Sequence, residues 1–306
     1  MPPFHSPWLE DYIADLRSRS PNTMDAYQRA LRQFLSWLMT LPGNAPPFQP
    51  EYLTRTALEI YLSELEQAGY SVSHRLRIKS AVAGLARWLA EEQDLPIRDP
   101  ARGVRVPAES MKTPRQLSPE QRVVLRQLVE RADHPRDSAL FALGYWAGCR
   151  VSDVSWLRLA ETHVTSRTGW LRVGYKGGKY REIDLIRPAR QALYAYLKQP
   201  HLAADREFVF PSQRAQRLTE AGIHHWWRNL KAQARKGEWE LIADITFHDL
   251  RHDFAHRARE VGWSLEELAY YLGHVTQQGT PAIQTTARYT QAGRDSLISK
   301  LHLLDR

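Results

Sequence analysis

Cysteine is almost absent from this chain. Its 306 residues include one, Cys149, so no intrachain disulfide is possible and a reducing compartment fits best. No apolar run reaches membrane-spanning length, and the opening Met1-Pro2-Pro3-Phe4-His5 does not read as a signal peptide. Both absences point to a cytoplasmic protein with no membrane partner. Internal repeats and low-complexity tracts are also missing. At this length, two modest domains are expected rather than a single core.

Acidic charge is in deficit. Lys and Arg number 42 against 34 Asp and Glu, a formal net charge of +8. The imbalance is uneven: residues 1–100 carry ten basic and twelve acidic side chains, leaving 32 basic and 22 acidic beyond them. A basic second part suits a polyanionic partner, although a solvated basic surface would look the same by composition alone.

Periodicity outlines the organisation. Ser20-Pro21 opens a helix on which Tyr27, Leu31, Phe34, Leu35 and Leu38 recur at helical spacing, stopped by Leu41-Pro42-Gly43. Further helices are expected over 53–67 and 73–92, the latter with Leu76, Val82, Leu85 and Leu89 apolar. Arg75, Arg77 and Lys79 near its start read either as an exposed charged face or as phosphate contacts. Residues 1–95 thus form an all-helical domain. Residues 96–116 read as a linker: Pro96, Pro100, Pro107 and Pro114 discourage helix, while Arg98, Arg102, Arg105, Lys112 and Arg115 make it basic.

Regular structure restarts at Ser118, with Gln121 completing a capping-box pattern. In the domain 117–306, helices are expected at about 119–132, 136–147, soon after Arg150, and at 188–198, 219–235, 248–260, 264–272, 283–291 and 294–304. Trp170 to Leu185 instead alternates about Gly177-Gly178, a hairpin signal. The fold class is mainly α with a small antiparallel β-sheet.

The densest chemistry lies in Thr246-Phe247-His248-Asp249-Leu250-Arg251-His252. His248 and Arg251, three apart at a helix start, share a side; arginine offers a planar fork of donors for a phosphate and histidine exchanges protons near neutral pH. Around them stand Arg150 in Gly148-Cys149-Arg150-Val151-Ser152-Asp153, the basic hairpin Tyr175-Lys176-Gly177-Gly178-Lys179, His274 in Leu272-Gly273-His274, and Tyr289 in Ala287-Arg288-Tyr289-Thr290. Two arginines, a lysine, two histidines and a late tyrosine fit phosphodiester cleavage by a tyrosine nucleophile.

This set, in this order, resembles the tyrosine recombinase (phage integrase) family, over residues 20–304 and most densely from Leu117 onward. One spacing departs from the family: His274 and Tyr289 are 15 apart. The excess, Val275 to Pro281, reads as a loop insertion. The resemblance implies a SAM-like core-binding domain and a mixed catalytic domain forming a clamp on DNA, in the two-domain Xer- or Cre-like manner. It implies Tyr289 as nucleophile forming a 3′-phosphotyrosine, with Arg150 and Arg251 on the non-bridging oxygens. Lys176 would protonate the leaving oxygen (Lys179 competes), His248 would exchange the nucleophile's proton, and His274 would bond the scissile phosphate. No cofactor, metal or nucleotide is implied. The partners would be double-stranded DNA recombination sites and a homotetramer working through a Holliday junction. The apolar C-terminal segment Leu297, Ile298, Leu301 and Leu304 would dock on a neighbour, and the protein would associate with the nucleoid when bound. Arg75, Arg77, Lys79, Arg102, Arg105 and Lys179 are candidate DNA contacts.

Each assignment has a competitor. Arg150 and Asp153 suit a helix-surface ion pair. Tyr270 and Tyr271 rival Tyr289, but sit in an apolar helix and read as core. His248, His252 and His256, at four-residue steps, imitate a zinc site. An Asp in place of Glu, a cationic Arg between the ligands and no evident third ligand disfavour it. His224-His225-Trp226-Trp227 reads as a half-buried helix face. At the level of the whole protein, the alternatives are a catalytically inactive DNA-binding relative and a type IB topoisomerase-like enzyme.

Overall fold

The computed structural model describes residues 6–16, 21–107, 115–174, 180–203, 205–213, 215–274, 276, 280 and 282–287. The chain separates into two compact units, Met1–Met111 and Lys112–Arg306.

The first unit consists of α1 (Pro7–Asp15), α2 (Pro21–Leu38), α3 (Arg55–Gln67) and α4 (Val72–Glu91). Leu31, Phe34, Leu35 and Leu38 of α2 are fully buried, as their spacing requires. They meet Leu58 and Tyr61 of α3 and Ile78, Val82, Leu85 and Leu89 of α4. Thr54 and Ser71 cap α3 and α4, accepting from Ala57 N and His74 N at 3.2 Å each. The short α1, absent from the sequence reading, closes the core with Leu9 and Tyr12.

Two expectations on α4 are corrected. Leu76, taken as apolar lining, is 43 % exposed, because Ile78 and Arg75 face inward in its place. Arg75, a candidate DNA contact, is only 6 % exposed, and its guanidinium pairs with Glu66 at 2.8 Å. A buried cation with its counter-ion holds α4 on α3 and is closed to a phosphate. Arg77 is exposed, as are Arg102 and Arg105; Lys79 Nζ donates to the Val104 carbonyl at 2.7 Å.

The stretch read as a linker divides. Leu95, Ile97, Ala101, Val104 and Val106 pack into the first core. At the other end, Leu117 is buried in the second core, and Arg115 pairs with Asp244. Proline stopped helix there without stopping burial. Lys112 lies outside the described residues.

In the second unit, α5 (Pro119–Ala132) starts on the Ser118–Gln121 capping box. The next helix, α6 (Pro135–Tyr145), is buried from Ala139 through Tyr145 and forms the centre of the unit. After α7 (Val151–Ser155) comes an antiparallel sheet, β1 (Thr162–Val164), β2 (Gly169–Val173) and β3 (Arg181–Asp184), in the order β1-β2-β3. Leu171 pairs with Ile183, and both face the core with Val173, while Arg172, Glu182 and Asp184 face out. Three residues are too few to announce β1 by alternation, and the sequence reading lacked it.

Six helices complete the described unit: α8 (Arg187–Leu197), α9 (Glu220–Lys231), α10 (Lys236–Ile242), α11 (Phe247–Glu260), α12 (Leu265–Leu272) and α13 (Ile283–Ala287). The helix expected over 219–235 ends early, at Lys231. The Lys231 ammonium turns inward to the Ile242 and Ala243 carbonyls at 3.2 and 2.6 Å, capping the separate α10. No helix among the described residues is long and apolar enough to cross a membrane.

Candidate active site

Helix α11 begins with a reciprocal cap. Thr246 N and Oγ1 both donate to Asp249 Oδ2, at 2.7 and 2.8 Å, and Asp249 N donates back to Thr246 Oγ1 at 3.3 Å. Phe247, Leu250 and Phe254 bury the underside of the helix. With its start and its buried face fixed, His248 and Arg251 project from its first turns.

Arg251 has no exposed surface. Its Nη1 donates to the Gly148 carbonyl at 2.6 Å and its Nη2 to the Leu272 carbonyl at 2.7 Å. Nη2 also lies 3.0 Å from His274 Nε2. Arginine has no acceptor, so this contact makes Nε2 the acceptor and puts the imidazole proton on Nδ1. Nδ1 then donates to Thr286 Oγ1 at 3.0 Å, and that hydroxyl donates to the Ala282 carbonyl at 3.2 Å. The relay runs from α11 through His274, the second residue after α12, into α13. Burial, then the positive charges of Arg251, Arg150 and Arg181, push the His274 pKa down to about 3, so the ring is neutral.

Two turns bring these groups together, and each needs a glycine. Gly148 has φ +60°, and a Cβ there would lie 2.7 Å from the Phe254 ring. Gly273 ends α12 at φ +67°, where a Cβ would meet the Arg181 side chain at 2.8 Å. Beyond Gly148, Arg150 stands as N-cap of α7, and its Nη2 donates to the Gly273 carbonyl at 3.2 Å. The Arg150 turn and the His274 turn are therefore bonded to each other as well as to Arg251.

Asp153 is buried rather than part of a helix-surface pair, and its ion-pair partner is Arg181. Its buried Oδ2 accepts the Arg150 backbone N–H at 2.9 Å and Arg181 Nη2 at 2.8 Å. Burial alone would raise its pKa. The Arg181 charge and hydrogen bond, with Arg150 and Arg251, outweigh that and hold the carboxyl below the ordinary value. Arg181 also donates from Nε to the Tyr271 carbonyl at 2.8 Å, tying β3 to α12. Arg181 and Thr286 are site residues that the sequence reading missed. An arginine in a strand and a threonine in a short helix carry no local signature.

His248 keeps an exposed face. Partial desolvation, then Arg251, with smaller contributions from Arg150 and His224, hold its imidazole below the ordinary histidine value against the pull of Asp249. The His252 ring meets it edge-on, centroids 4.4 Å apart, and burial takes His252 down to about 4. No set of three or more His, Cys, Asp or Glu side chains among the described residues is disposed to hold a metal ion. Cys149 is buried, and its thiol is pushed up to about 12 by that burial, which leaves it inert.

The tyrosine rivals separate. Tyr271 stacks on Phe254 at 5.3 Å, and burial raises its pKa. Tyr270 is 70 % exposed, which corrects its reading as core. On α9, Ile223 and Trp227 face inward while His224 and His225 face out, the half-buried face expected there. Of the insertion before Tyr289, Thr276 N bonds to the Thr280 carbonyl at 2.8 Å, and Ala282 N returns to the His274 carbonyl at 2.6 Å. That closure leads into α13, whose Thr286 precedes Tyr289 by three residues. Lys176, Lys179 and Tyr289 themselves, and the C-terminal stripe, lie outside the described residues.

Comparison with known proteins gives the same frame. Residues 115–294 match the phage integrase family, and residues 8–93 match the phage integrase N-terminal SAM-like domain. The chain is 32 % identical to tyrosine recombinase XerC of Pseudomonas aeruginosa over 302 residues, covering 95 % of this chain and 92 % of that one. It is 28 % identical to tyrosine recombinase XerD of Listeria monocytogenes over 310 residues, covering 97 % and 96 %. Among solved structures, the Tn1549 transposon integrase in complex with transposon right end DNA has a TM-score of 0.73 at 15 % identity, covering 98 % of this chain and 99 % of that one. XerH site-specific recombinase bound to a palindromic difH substrate scores 0.71 at 18 % identity, covering 97 % and 84 %.

Proposed function

The chain belongs to the phage integrase family of tyrosine recombinases, and from that premise we propose a site-specific DNA recombinase in which Tyr289 attacks the scissile phosphate. The observation that carries this reading is the convergence of Arg150, Arg251 and His274 through the Gly148, Leu272 and Gly273 carbonyls, with His248 beside them.

The chemistry balances without an external cofactor. The Tyr289 oxygen forms a bond to phosphorus as the bond to the 5′-oxygen breaks, giving a 3′-phosphotyrosine and a 5′-hydroxyl. His248, neutral at pH 7 by its depressed pKa, accepts the phenol proton, and Lys176 supplies the proton to the leaving oxygen. Arg150 and Arg251 neutralise the non-bridging oxygens. Arg251 holds two main-chain carbonyls in this structure, one from each terminal nitrogen, so an incoming phosphate either displaces one of these bonds or uses the remaining N–H donors of the fork. His274, expected to bond the scissile phosphate, instead turns its accepting nitrogen to Arg251 in this structure, and its role here is to orient Arg251. Attack by the 5′-hydroxyl of the partner strand reverses the sequence and joins the exchanged strands through a Holliday junction.

A suicide-nicked oligonucleotide tests this. Wild-type protein should form a gel-stable covalent adduct, while Tyr289→Phe should form none yet bind the same site, because affinity resides mainly in phosphate contacts. An adduct persisting in Tyr289→Phe would assign attack to another residue. The family frame further suggests a homotetramer on two duplexes, each C-terminal segment from Asp295 docking on a neighbour. Truncation after Gly293 should then weaken synapsis more than half-site binding, and normal synapsis by the truncated protein would refute the docking. No observation favours a topoisomerase or an inactive relative.

A further inference from the structure

Helix α11 has a second charged face that the chemistry above does not use. Asp253 follows Arg251 by two residues, a rotation of about 200° around a helix, so it points away from the phosphate side. Its side chain is fully buried and surrounded by donors. Oδ1 accepts Arg122 Nε and Nη2 from α5 at 2.9 and 2.8 Å, and the Leu117 backbone N–H at 3.1 Å. Oδ2 accepts Arg257 Nε at 2.9 Å, one turn further along α11.

Arg257 reaches further. Its Nη2 donates to the carbonyl of Tyr145, the last residue of α6. Its guanidinium lies 4.2 Å from the centre of the Tyr145 ring and 5.2 Å from that of Trp146. The residues that follow make the turn of Gly148 and Arg150. Helix α11 therefore grips this turn twice, at the Tyr145 carbonyl through Arg257 and at the Gly148 carbonyl through Arg251. The first grip is oriented by Asp253.

We propose that Asp253, acting through Arg257, is a positioning residue for strand cleavage that sets Arg150 in register with Arg251. This rests on the reading of Arg150 and Arg251 as the pair that holds the phosphate. Two guanidinium groups from different elements neutralise one phosphate only if their elements keep a fixed separation. A fork donates to two acceptors at once, which a point charge such as lysine does not reproduce. Arg122 provides the internal control. It bonds the same carboxylate, but it comes from α5, and none of its bonds described above reaches the Tyr145–Arg150 turn.

The test compares Arg257→Lys, Arg257→Gln and Arg122→Lys in the full chain. It measures half-site affinity, the single-turnover rate of adduct formation at saturating DNA, and thermal midpoint. Arg257→Lys should lower the adduct rate about tenfold to a hundredfold with half-site Kd within about twofold, since an ångström of misplacement costs on that scale. Arg257→Gln should show the same split. Arg122→Lys should lower the thermal midpoint to a similar extent and leave the rate within about threefold, as for a contact remote from the reacting atoms. An unchanged rate in the Arg257 variants overturns the proposal, as does an equal loss in Arg122→Lys. Failure of both Arg257 variants to fold assigns the network to stability alone and equally overturns it. Tyr289→Phe, run alongside, isolates the underlying reading, because an adduct in that variant would refute the nucleophile whatever Arg257 does.

Discussion

Acidification gives a quantitative test of the His274 relay. The folded ring has its pKa pushed down to about 3, burial being the largest cause and Arg251 the next. In the unfolded chain it titrates near 6.5. Because the folded value lies below the unfolded one, the unfolded state takes up the proton first. The neutral ring's stabilising contribution is therefore complete above about pH 6.5 and is eroded as pH falls towards 3. Between pH 7 and pH 4.5 the loss is about 2–3 kcal/mol, a little under two pH units at roughly 1.4 kcal/mol each. His252, held down to about 4, adds a loss of similar sign in the same window. The measurement is urea unfolding of wild type and His274→Gln at several pH values, followed by far-ultraviolet circular dichroism. Glutamine does not titrate, so the difference between the two proteins removes every pH effect they share. The destabilisation caused by His274→Gln at pH 7 should shrink by about 2–3 kcal/mol at pH 4.5. Parallel pH curves for the two proteins would show that His274 protonates freely in the folded state, and the relay would be wrong.

Asp153→Asn should cost about 3–5 kcal/mol, the usual result of removing one partner from a buried pair, because Arg181 is left without its counter-charge. Thermal melting reads this, and a loss below 1 kcal/mol would show that the pair is dispensable. Since the Asp153 carboxyl is held below its ordinary value, its contribution is present at neutral pH and lost as pH falls through the folded value. Gly148→Ala should cost at least about 1–2 kcal/mol from its left-handed backbone, plus the clash with Phe254. It should also slow adduct formation more than it weakens half-site binding, and an unchanged cleavage rate would sever Gly148 from the placement of Arg150. Adduct formation should survive EDTA, because in the proposed mechanism the charge neutralisation comes from Arg150, Arg251 and Lys176 rather than from a metal ion. Loss of cleavage restored by zinc would favour the metal reading of His248 and His252.

Much of the fold was legible because helices are written at short range. The buried stripe of α2 and the Ser118–Gln121 box before α5 each depend on residues within a turn or two. Where reading failed, a distant side chain had intervened. The helix expected over 219–235 ends at Lys231, whose amine bonds the carbonyls of residues 242 and 243, and Leu76 is exposed where its neighbour Arg75 turns inward to Glu66.

For the site, the sequence by itself determined which groups are available: Arg150, His248, Arg251 and His274, each within a short motif, and the glycines that shape their turns. Only the tertiary structure decided how they act on one another. The proton on His274 Nδ1 follows from Arg251 at one side and Thr286 at the other. The depressed pKa of Asp153 follows from Arg181, 28 residues away. The grip on the Arg150 turn follows from Arg257, more than a hundred residues later. Hydrogen-bond geometry within a helical turn is fixed by the backbone and can be read along the chain. Burial and charge–charge coupling depend on distance through space, which exists only once the chain has packed.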